Sequence, residues 1–166
     1  MTVYSFSPFG YEGSLVTVEV NLRMGIPAVD VVGLADGCVR ESRERIKAAI
    51  NNSGIEFPTE RVLISLSPAD LKKEGAGFDL PIALGIYNAM CGNTSDGEGV
   101  LVMGELELSG NVRPVRGVYA ACQSAKRQGI FDCVVPAQQA WEAEKAGMRT
   151  IVCAETIRQA FGAIES

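Results

Sequence analysis

The sequence predicts an α/β layer sandwich, an α+β arrangement in which a mixed sheet packs against helices. The C-terminal part alternates short β-branched segments with helical segments of about ten residues, which is typical of parallel strands. The N-terminal part contains two alternating segments joined by a glycine-bearing turn, which is typical of an antiparallel hairpin. With 166 residues and 47% hydrophobic content, the chain is long enough for one domain, residues 1–166, with a substantial core.

In the first third, Val3–Phe9 and Ser14–Leu22 alternate apolar and polar residues and form the hairpin strands. Ala28–Leu34 is mostly apolar and predicts a third, buried strand. The first long helix begins at Asp36, a suitable N-cap residue, and runs to about Asn52 before Gly54 ends it. This order of elements makes the N-terminal part of the sheet antiparallel.

The first helix carries a charged face at Arg40–Lys47. Arg40 with Glu44, and Glu41 with Arg45, stand four residues apart, so each pair can stabilise the helix by roughly 0.2–0.5 kcal/mol. The simpler interpretation is a solvated helix face. The functional alternative is a charged surface for a partner or a phosphate backbone.

The middle of the chain is organised around residues 67–85. An alternating strand, Arg61–Ser67, meets Pro68, which cannot continue a central ladder. A charged, glycine-bearing loop, Lys72–Gly77, follows. Asp79 is a suitable N-cap for an apolar helix that reaches about Met90. A strand, a glycine loop and a helix N-terminus in this order can hold an anion, a nucleophile or a neighbouring chain.

The glycine-rich loop after this helix has a G-x-x-x-x-G spacing at Gly92 and Gly97. A phosphate loop requires lysine next, whereas Glu98 stands there, and a strand rather than a helix follows. We therefore reject a nucleotide site at this loop. The remaining predicted elements alternate, as strands at Val100–Met103, Glu105–Leu108, Val112–Val115, Phe131–Val135 and Thr150–Cys153, and helices at Gly117–Gln128, Ala137–Lys145 and Thr156–Ile164.

Composition excludes several kinds of site. The chain has no histidine, which removes Ser-His and Cys-His catalysis and histidine metal ligands, and we expect no metal site. Five scattered cysteines without C-x-x-C, and an N-terminus without a signal-peptide pattern, indicate free thiols in a reducing, cytoplasmic setting. No apolar run approaches the roughly 20 residues of a membrane span. The net charge of −5 argues weakly against a nucleic-acid coat protein and allows a local basic patch.

Three segments carry a resemblance that covers nearly the whole chain. Residues 31–45 read VVGLADGCVRESRER, residues 67–85 read SPADLKKEGAGFDLPIALG, and residues 104–117 read GELELSGNVRPVRG. In this order they resemble the N-terminal domain of the magnesium-chelatase-like competence ATPases, the ComM/YifB family. The resemblance implies the α/β fold shared by the Lon protease domain and domain 2 of a ribosomal small-subunit protein.

In that family the domain precedes an AAA+ ATPase module, and the full proteins are linked to DNA recombination as hexameric branch-migration helicases. The resemblance therefore implies ATP and Mg²⁺ for the full-length protein, with no cofactor in this segment, because G-x-x-x-x-G-K-[ST] is absent from it. It also implies contact with the AAA+ module, a homo-hexamer and possible contact with DNA. Whether the chain is an excised domain or a stand-alone protein stays open.

The same resemblance tests for catalysis. The loop Lys73–Asp79 is similar to the serine loop of Lon-type proteases, and Gly77 would stand where the nucleophile belongs. Arg113–Val118 is similar to the run before the catalytic lysine, and Tyr119 would take the place of that lysine. Because covalent catalysis needs a nucleophile and a base, the resemblance implies a protease-like fold without a Ser-Lys dyad. A remote alternative is a peptidase that uses Ser67 with Lys73.

Binding is the remaining function for these loops. The family fold would place Lys72, Lys73, Arg113 and Arg116 near each other. In the first hypothesis they pair with carboxylates of the next subunit, such as Glu74 or Glu105, in an assembly and coupling domain. In the second they contact a DNA backbone, which would be sequence-independent and salt-sensitive. The net charge of −5 favours assembly.

Overall fold

The computed structural model confirms the predicted fold class. It describes residues 2–8, 13–34, 36–68, 73, 76–92 and 98–165. Over these residues the strands are β1 (Thr2–Ser7), β2 (Ser14–Arg23), β3 (Ala28–Val32), β4 (Arg61–Ser67), β5 (Gly99–Val102), β6 (Glu105–Leu106), β7 (Val112–Arg113), β8 (Asp132–Pro136) and β9 (Thr150–Ala154). The helices are α1 (Asp36–Asn52), α2 (Asp79–Met90), α3 (Val118–Arg127), α4 (Ala140–Ala146) and α5 (Ile157–Glu165).

Seven of these strands form one mixed sheet in the order β3-β4-β2-β1-β5-β8-β9. The pairs β1–β2 and β2–β4 are antiparallel, while β1–β5, β5–β8 and β8–β9 are parallel, as the sequence predicts for the two parts of the chain. β3 pairs with β4 in parallel, with α1 as the crossover between them, so the predicted antiparallel arrangement is wrong for this pair. β3 is also an edge strand, in which Val29 is buried and Val32 is exposed, rather than the buried strand predicted at Ala28–Leu34. β6 and β7 pair only with each other and form a separate two-stranded ribbon.

Two apolar cores lie on opposite faces of the sheet. The larger core contains α1, α2 and α5, and the smaller one contains α3 and α4. Residues alternate between the faces along β5, where Val100 and Val102 enter the larger core and Leu101 enters the smaller one. α2 is the centre of the larger core, since residues 79–86 are all buried. A Cβ at Gly85 would lie 2.8 Å from Val20 Cγ2, so glycine permits α2 to pack closely on β2.

Several predicted boundaries shift by a few residues. The predicted strand at Glu105–Leu108 stops at Leu106, and the one at Val112–Val115 stops at Arg113, because only two residues of each pair. The predicted helix at Ala137–Lys145 opens with a 3₁₀ turn before α4. Phe9 and the hairpin turn at residues 10–12 lie outside the described residues. Among the described helices, none combines the length and the apolar character that crossing a bilayer requires.

Candidate functional site

The β6–β7 ribbon is fixed to the larger core. Leu106 and Val112 face each other across the ribbon, and both side chains are buried. The Val112 N–H donates to the Glu155 carbonyl over 2.9 Å, and the Ile157 N–H donates to the Gly110 carbonyl over 2.8 Å. These bonds join the ribbon to the start of α5, so the ribbon presents its outer residues from a rigid base.

The segment after the ribbon is clamped as well. The Gln139 side chain accepts a hydrogen bond from the Val115 N–H at 3.0 Å and donates to the Val115 carbonyl. Val115 Cγ1 also lies 3.6 Å from the position that a Cβ on Gly77 would occupy. The structure therefore brings together the loop before α2 and the segment Arg113–Arg116, which the sequence separates by more than thirty residues.

Asp79 is the buried charge beneath this surface. Its carboxylate accepts hydrogen bonds from Ser42 Oγ (2.8 Å), from Arg45 Nε (2.7 Å) and Nη2 (3.2 Å), and from the Leu106 N–H (3.3 Å). One side chain thus ties α1, α2 and the ribbon together. Burial raises the pKa of Asp79, against the opposing effect of the hydrogen bonds from Arg45 and Ser42. The contact with Asp79 raises the pKa of Arg45.

This geometry corrects the prediction that Asp79 is the N-cap of α2. Phe78 occupies the cap position, without a side-chain cap hydrogen bond, and Asp79 is the first helical residue. Its carboxylate turns into the protein because better donors, including a guanidinium, are available there. The interpretation of Arg40–Lys47 as a solvated face is also incomplete. Ser42 is buried, and Arg45 faces Asp79 while keeping a weaker contact of 3.8 Å with Glu41.

The four predicted contact residues have different surroundings. Lys73 is 4% exposed, and its ammonium donates to the Pro68 carbonyl. Arg113 is on the surface, with a side chain 59% exposed and a loose ion pair of 3.8 Å to Glu107. Arg116 is exposed. Lys72 lies outside the described residues, as does Glu74, the suggested partner residue.

The two positions that the resemblance assigns to a protease dyad, Gly77 and Tyr119, lie among the described residues. Gly77 lies in the 3₁₀ turn before α2 and offers no side chain. Tyr119 lies in the first turn of α3 and is 37% exposed, and its hydroxyl accepts a hydrogen bond from Gln123 Nε2 at 2.7 Å. Ser67 ends β4, opposite Thr17. The amine that would have to activate Ser67 belongs to Lys73, which is engaged with the adjacent Pro68 carbonyl.

The sequence reasoning missed the Ser42–Arg45–Asp79 network. A signal was present, because Asp79 opens an otherwise apolar helix and a buried carboxylate requires donors. The identity of those donors, 34 and 37 residues earlier in the chain, could not be read from periodicity. Within the described ranges, no group of three or more cysteine, aspartate or glutamate side chains is placed to hold a metal ion.

Comparison with known proteins gives the family. The family described as subunit ChlI of Mg-chelatase matches residues 18–139. YifB of Escherichia coli, an uncharacterised protein, is 40% identical over 130 residues, which is 76% of this chain and 25% of YifB. The competence protein ComM of Haemophilus influenzae is 36% identical over 156 residues, which is 93% of this chain and 30% of ComM.

A more distant similarity concerns the fold. The Lon protease of Chloroflexus aurantiacus is 25% identical over 138 residues, which is 79% of this chain and 16% of that protease. This chain spans less than a third of the length of each of these three relatives. Because the ChlI match covers most of the chain and the identities to ComM and YifB are well above 30%, the chain belongs to the Mg-chelatase ChlI-like family that includes ComM and YifB.

Proposed function

We propose that this chain is a non-catalytic assembly and coupling domain of a magnesium-chelatase-like AAA+ ATPase of the competence and DNA-recombination type. The proposal is carried by Gly77 and Tyr119, the residues that the resemblance to Lon-type peptidases assigns to the serine and lysine positions. Without a nucleophile at Gly77 and an amine at Tyr119, the peptidase-like fold has no covalent chemistry at this place. The role that remains for the fold is to bind a neighbouring subunit.

The ribbon and the segment after it are suited to contact. Arg113 and Arg116 project from a base that is held by the buried Leu106 and by the Gln139 clamp. Leu108, in the turn of the ribbon, is 56% exposed and offers an apolar side chain to a partner. A rigid surface loses little conformational entropy on binding, which favours a specific interface.

The same geometry favours carboxylates of a neighbouring subunit over a DNA backbone. Strong DNA binding neutralises several phosphates at once. Lys73 has its ammonium on the Pro68 carbonyl, so Arg113 and Arg116 are the exposed cations among the three described contact residues. Two arginines are enough for bidentate pairs with carboxylates, which do not require an extended basic surface. The net charge of −5 also favours assembly over DNA binding.

ATP hydrolysis, Mg²⁺ binding and hexamer formation belong in this proposal to the longer protein that carries the chain. The support is its similarity to ComM and YifB, which are more than three times as long as the matched region. The name of ComM refers to competence. We propose that ribbon contacts transmit the subunit arrangement to the ATPase module.

The test is charge reversal in the whole protein that carries this chain. Arg113→Glu with Arg116→Glu should lower the molar mass measured by light scattering and raise the concentration required for assembly at least about tenfold. ATPase activity should fall with assembly. Arg23→Glu, at the exposed end of β2, is the control and should leave the mass unchanged.

Two results would contradict the proposal. If the double variant assembles as the wild type does, the ribbon is not the subunit contact. If assembly is unchanged while DNA affinity and its salt dependence both fall, the DNA-backbone hypothesis replaces it.

A further inference from the structure

A polar groove lies where β1 and β2 meet the C-terminal end of α3. Its volume is about 520 Å³, within the range of roughly 300–1,000 Å³ that is usual for small-molecule sites. Tyr4, Leu15 and Thr17 line it from the sheet, and Ser124 and Arg127 line it from α3. Nothing in the proposed assembly function uses this groove.

Arg127 supplies the charge of the groove. Arg127 Nη2 donates a hydrogen bond to Ser124 Oγ at 3.3 Å. The guanidinium has no carboxylate partner in the described part of the chain. The preceding cation, Lys126, is engaged elsewhere, since its ammonium donates to the Ala146 carbonyl over 2.9 Å. Among the described residues that line the groove, none is acidic. The groove therefore offers a positive charge to a ligand.

The carbonyl groups at the C-terminal end of α3 are hydrogen-bonded, so they do not repel an anion as free carbonyl groups would. The Ala125 carbonyl accepts hydrogen bonds from the Gln128 and Ile130 N–H groups, at 2.9 Å each. The Lys126 carbonyl accepts from the Gly129 N–H over 3.0 Å. With these acceptors satisfied, the unfavourable effect of a helix C-terminus on a negative ligand is reduced.

The sheet side of the groove is aromatic and preformed. A Cβ at Gly99 would lie 2.6 Å from Tyr4 Cε2, so the Tyr4 ring rests on the glycine backbone of β5. Tyr4 is directly opposite Thr17 in the β1–β2 register, which puts the ring and a hydroxyl on one surface. Leu15 and Ile130 complete the apolar part.

We propose that this groove binds a small organic anion that carries a planar ring. The anionic group pairs with Arg127 and accepts hydrogen bonds from the hydroxyls of Ser124 and Thr17, while the ring packs against Tyr4. The site is distinct from the lost peptidase positions, because Arg127 lies about 12 Å from Tyr119 along the axis of α3.

Phenyl phosphate is the test probe, titrated into the ¹⁵N-labelled chain and followed by amide chemical shifts. We expect saturable shifts confined to residues 3–5, 13–17 and 124–130, which line or flank the groove. Arg127→Gln should weaken binding at least about tenfold, the loss expected for a charge-assisted hydrogen bond. Arg23→Gln, an equal change of charge at the far end of β2, should leave the affinity unchanged. Phenol and inorganic phosphate, the two halves of the probe, should each bind more weakly.

The proposal is overturned if phenyl phosphate up to about 10 mM causes no saturable shift. It is also overturned if Arg127→Gln binds as well as the wild type, or if inorganic phosphate binds as tightly as the complete probe. Arg127 is exposed, so its variant should retain the wild-type amide spectrum elsewhere. Ser124→Ala gives a second, milder variant, for which we expect a several-fold loss of affinity.

Discussion

The N-terminal region of α2 and the β6–β7 ribbon are neighbours whose charges have opposite orientations. Asp79 and Lys73 point into the protein, where they bind Arg45 and the Pro68 carbonyl, respectively. Arg113 and Arg116 point into solvent. A buried charge must be paired and so holds the fold, whereas an exposed charge remains available to a partner. The comparison separates residues that build the surface from residues that can use it.

The largest effect is expected from Asp79→Ala. The substitution removes the acceptor for Arg45, Ser42 and the Leu106 N–H, and it leaves a partly buried guanidinium without its counter-charge. Breaking a buried pair in this way should lower the free energy of unfolding by about 3–5 kcal/mol. Urea unfolding followed by circular dichroism measures the change.

Asp132→Ala is the matched control for Asp79. Its ion pair with Arg149 spans 2.9 Å but lies at the surface. Water can replace the arginine there, so the urea midpoint should move far less than in Asp79→Ala. Equal losses of stability in the two variants would show that burial does not determine how much each ion pair contributes.

A smaller loss is expected from Gly104→Ala, which tests the attachment of the ribbon. A Cβ at Gly104 would lie 3.0 Å from both Leu80 Cδ2 and Val112 Cγ1. The neighbours would have to move, at a cost of about 1–3 kcal/mol in the free energy of unfolding. In Gly162→Ala, a control within α5, the new Cβ meets nothing within 4 Å, so stability should be unchanged or slightly higher.

The pH dependence should differ in sign between the two aspartates. The Arg149 guanidinium lowers the pKa of Asp132, so its stabilising contribution is complete above the unfolded value of about 3.9 and is lost as pH falls through the folded pKa. Burial raises the pKa of Asp79, so the folded protein binds this proton first, and stability is gained as pH falls through the folded pKa towards the unfolded value of about 3.9. Relative to wild type, the urea midpoint of Asp79→Asn should therefore change with pH above about 3.9 and that of Asp132→Asn below it, in opposite directions. Parallel profiles would contradict this assignment.

The smallest effect is expected from Gly77→Ser. The nearest heavy atom to the new Cβ, Val115 Cγ1, is at an ordinary contact distance of 3.6 Å, and the backbone of Gly77 is not left-handed. The thermal unfolding midpoint should correspond to a change within about 0.5 kcal/mol. A large loss of stability would mean that packing requires glycine at position 77. The absence of a serine there would then have a structural explanation.

Much of the fold could be predicted from local patterns. Ser14–Arg23, Arg61–Ser67 and α1 appear almost where alternation and capping residues place them. The ribbon differs, because β6 and β7 pair over two residues each and leave the main sheet, which periodicity cannot indicate. The contacts of the site were harder still. Arg45 reaches Asp79 across 34 positions in the chain, so only the packed structure reveals the pair.

The candidate sites show the same limit. The resemblance points to Arg113 and Arg116 and to the positions Gly77 and Tyr119, because sequence motifs mark them. It could not show that Lys73 is buried, since burial depends on the packing of its loop. The groove at Arg127 had no motif at all, because β1 and β2 are separated from α3 by more than ninety residues of the chain.

The most direct test of the central claim, a peptidase-like fold kept for contact, is a hydrolysis assay on the whole protein that carries this chain. Labelled casein would be incubated with the wild-type protein and with Ser67→Ala, with and without ATP. The account predicts that neither protein releases labelled peptides above the protein-free baseline under either condition. Release of peptides by the wild type that disappears in Ser67→Ala would contradict it.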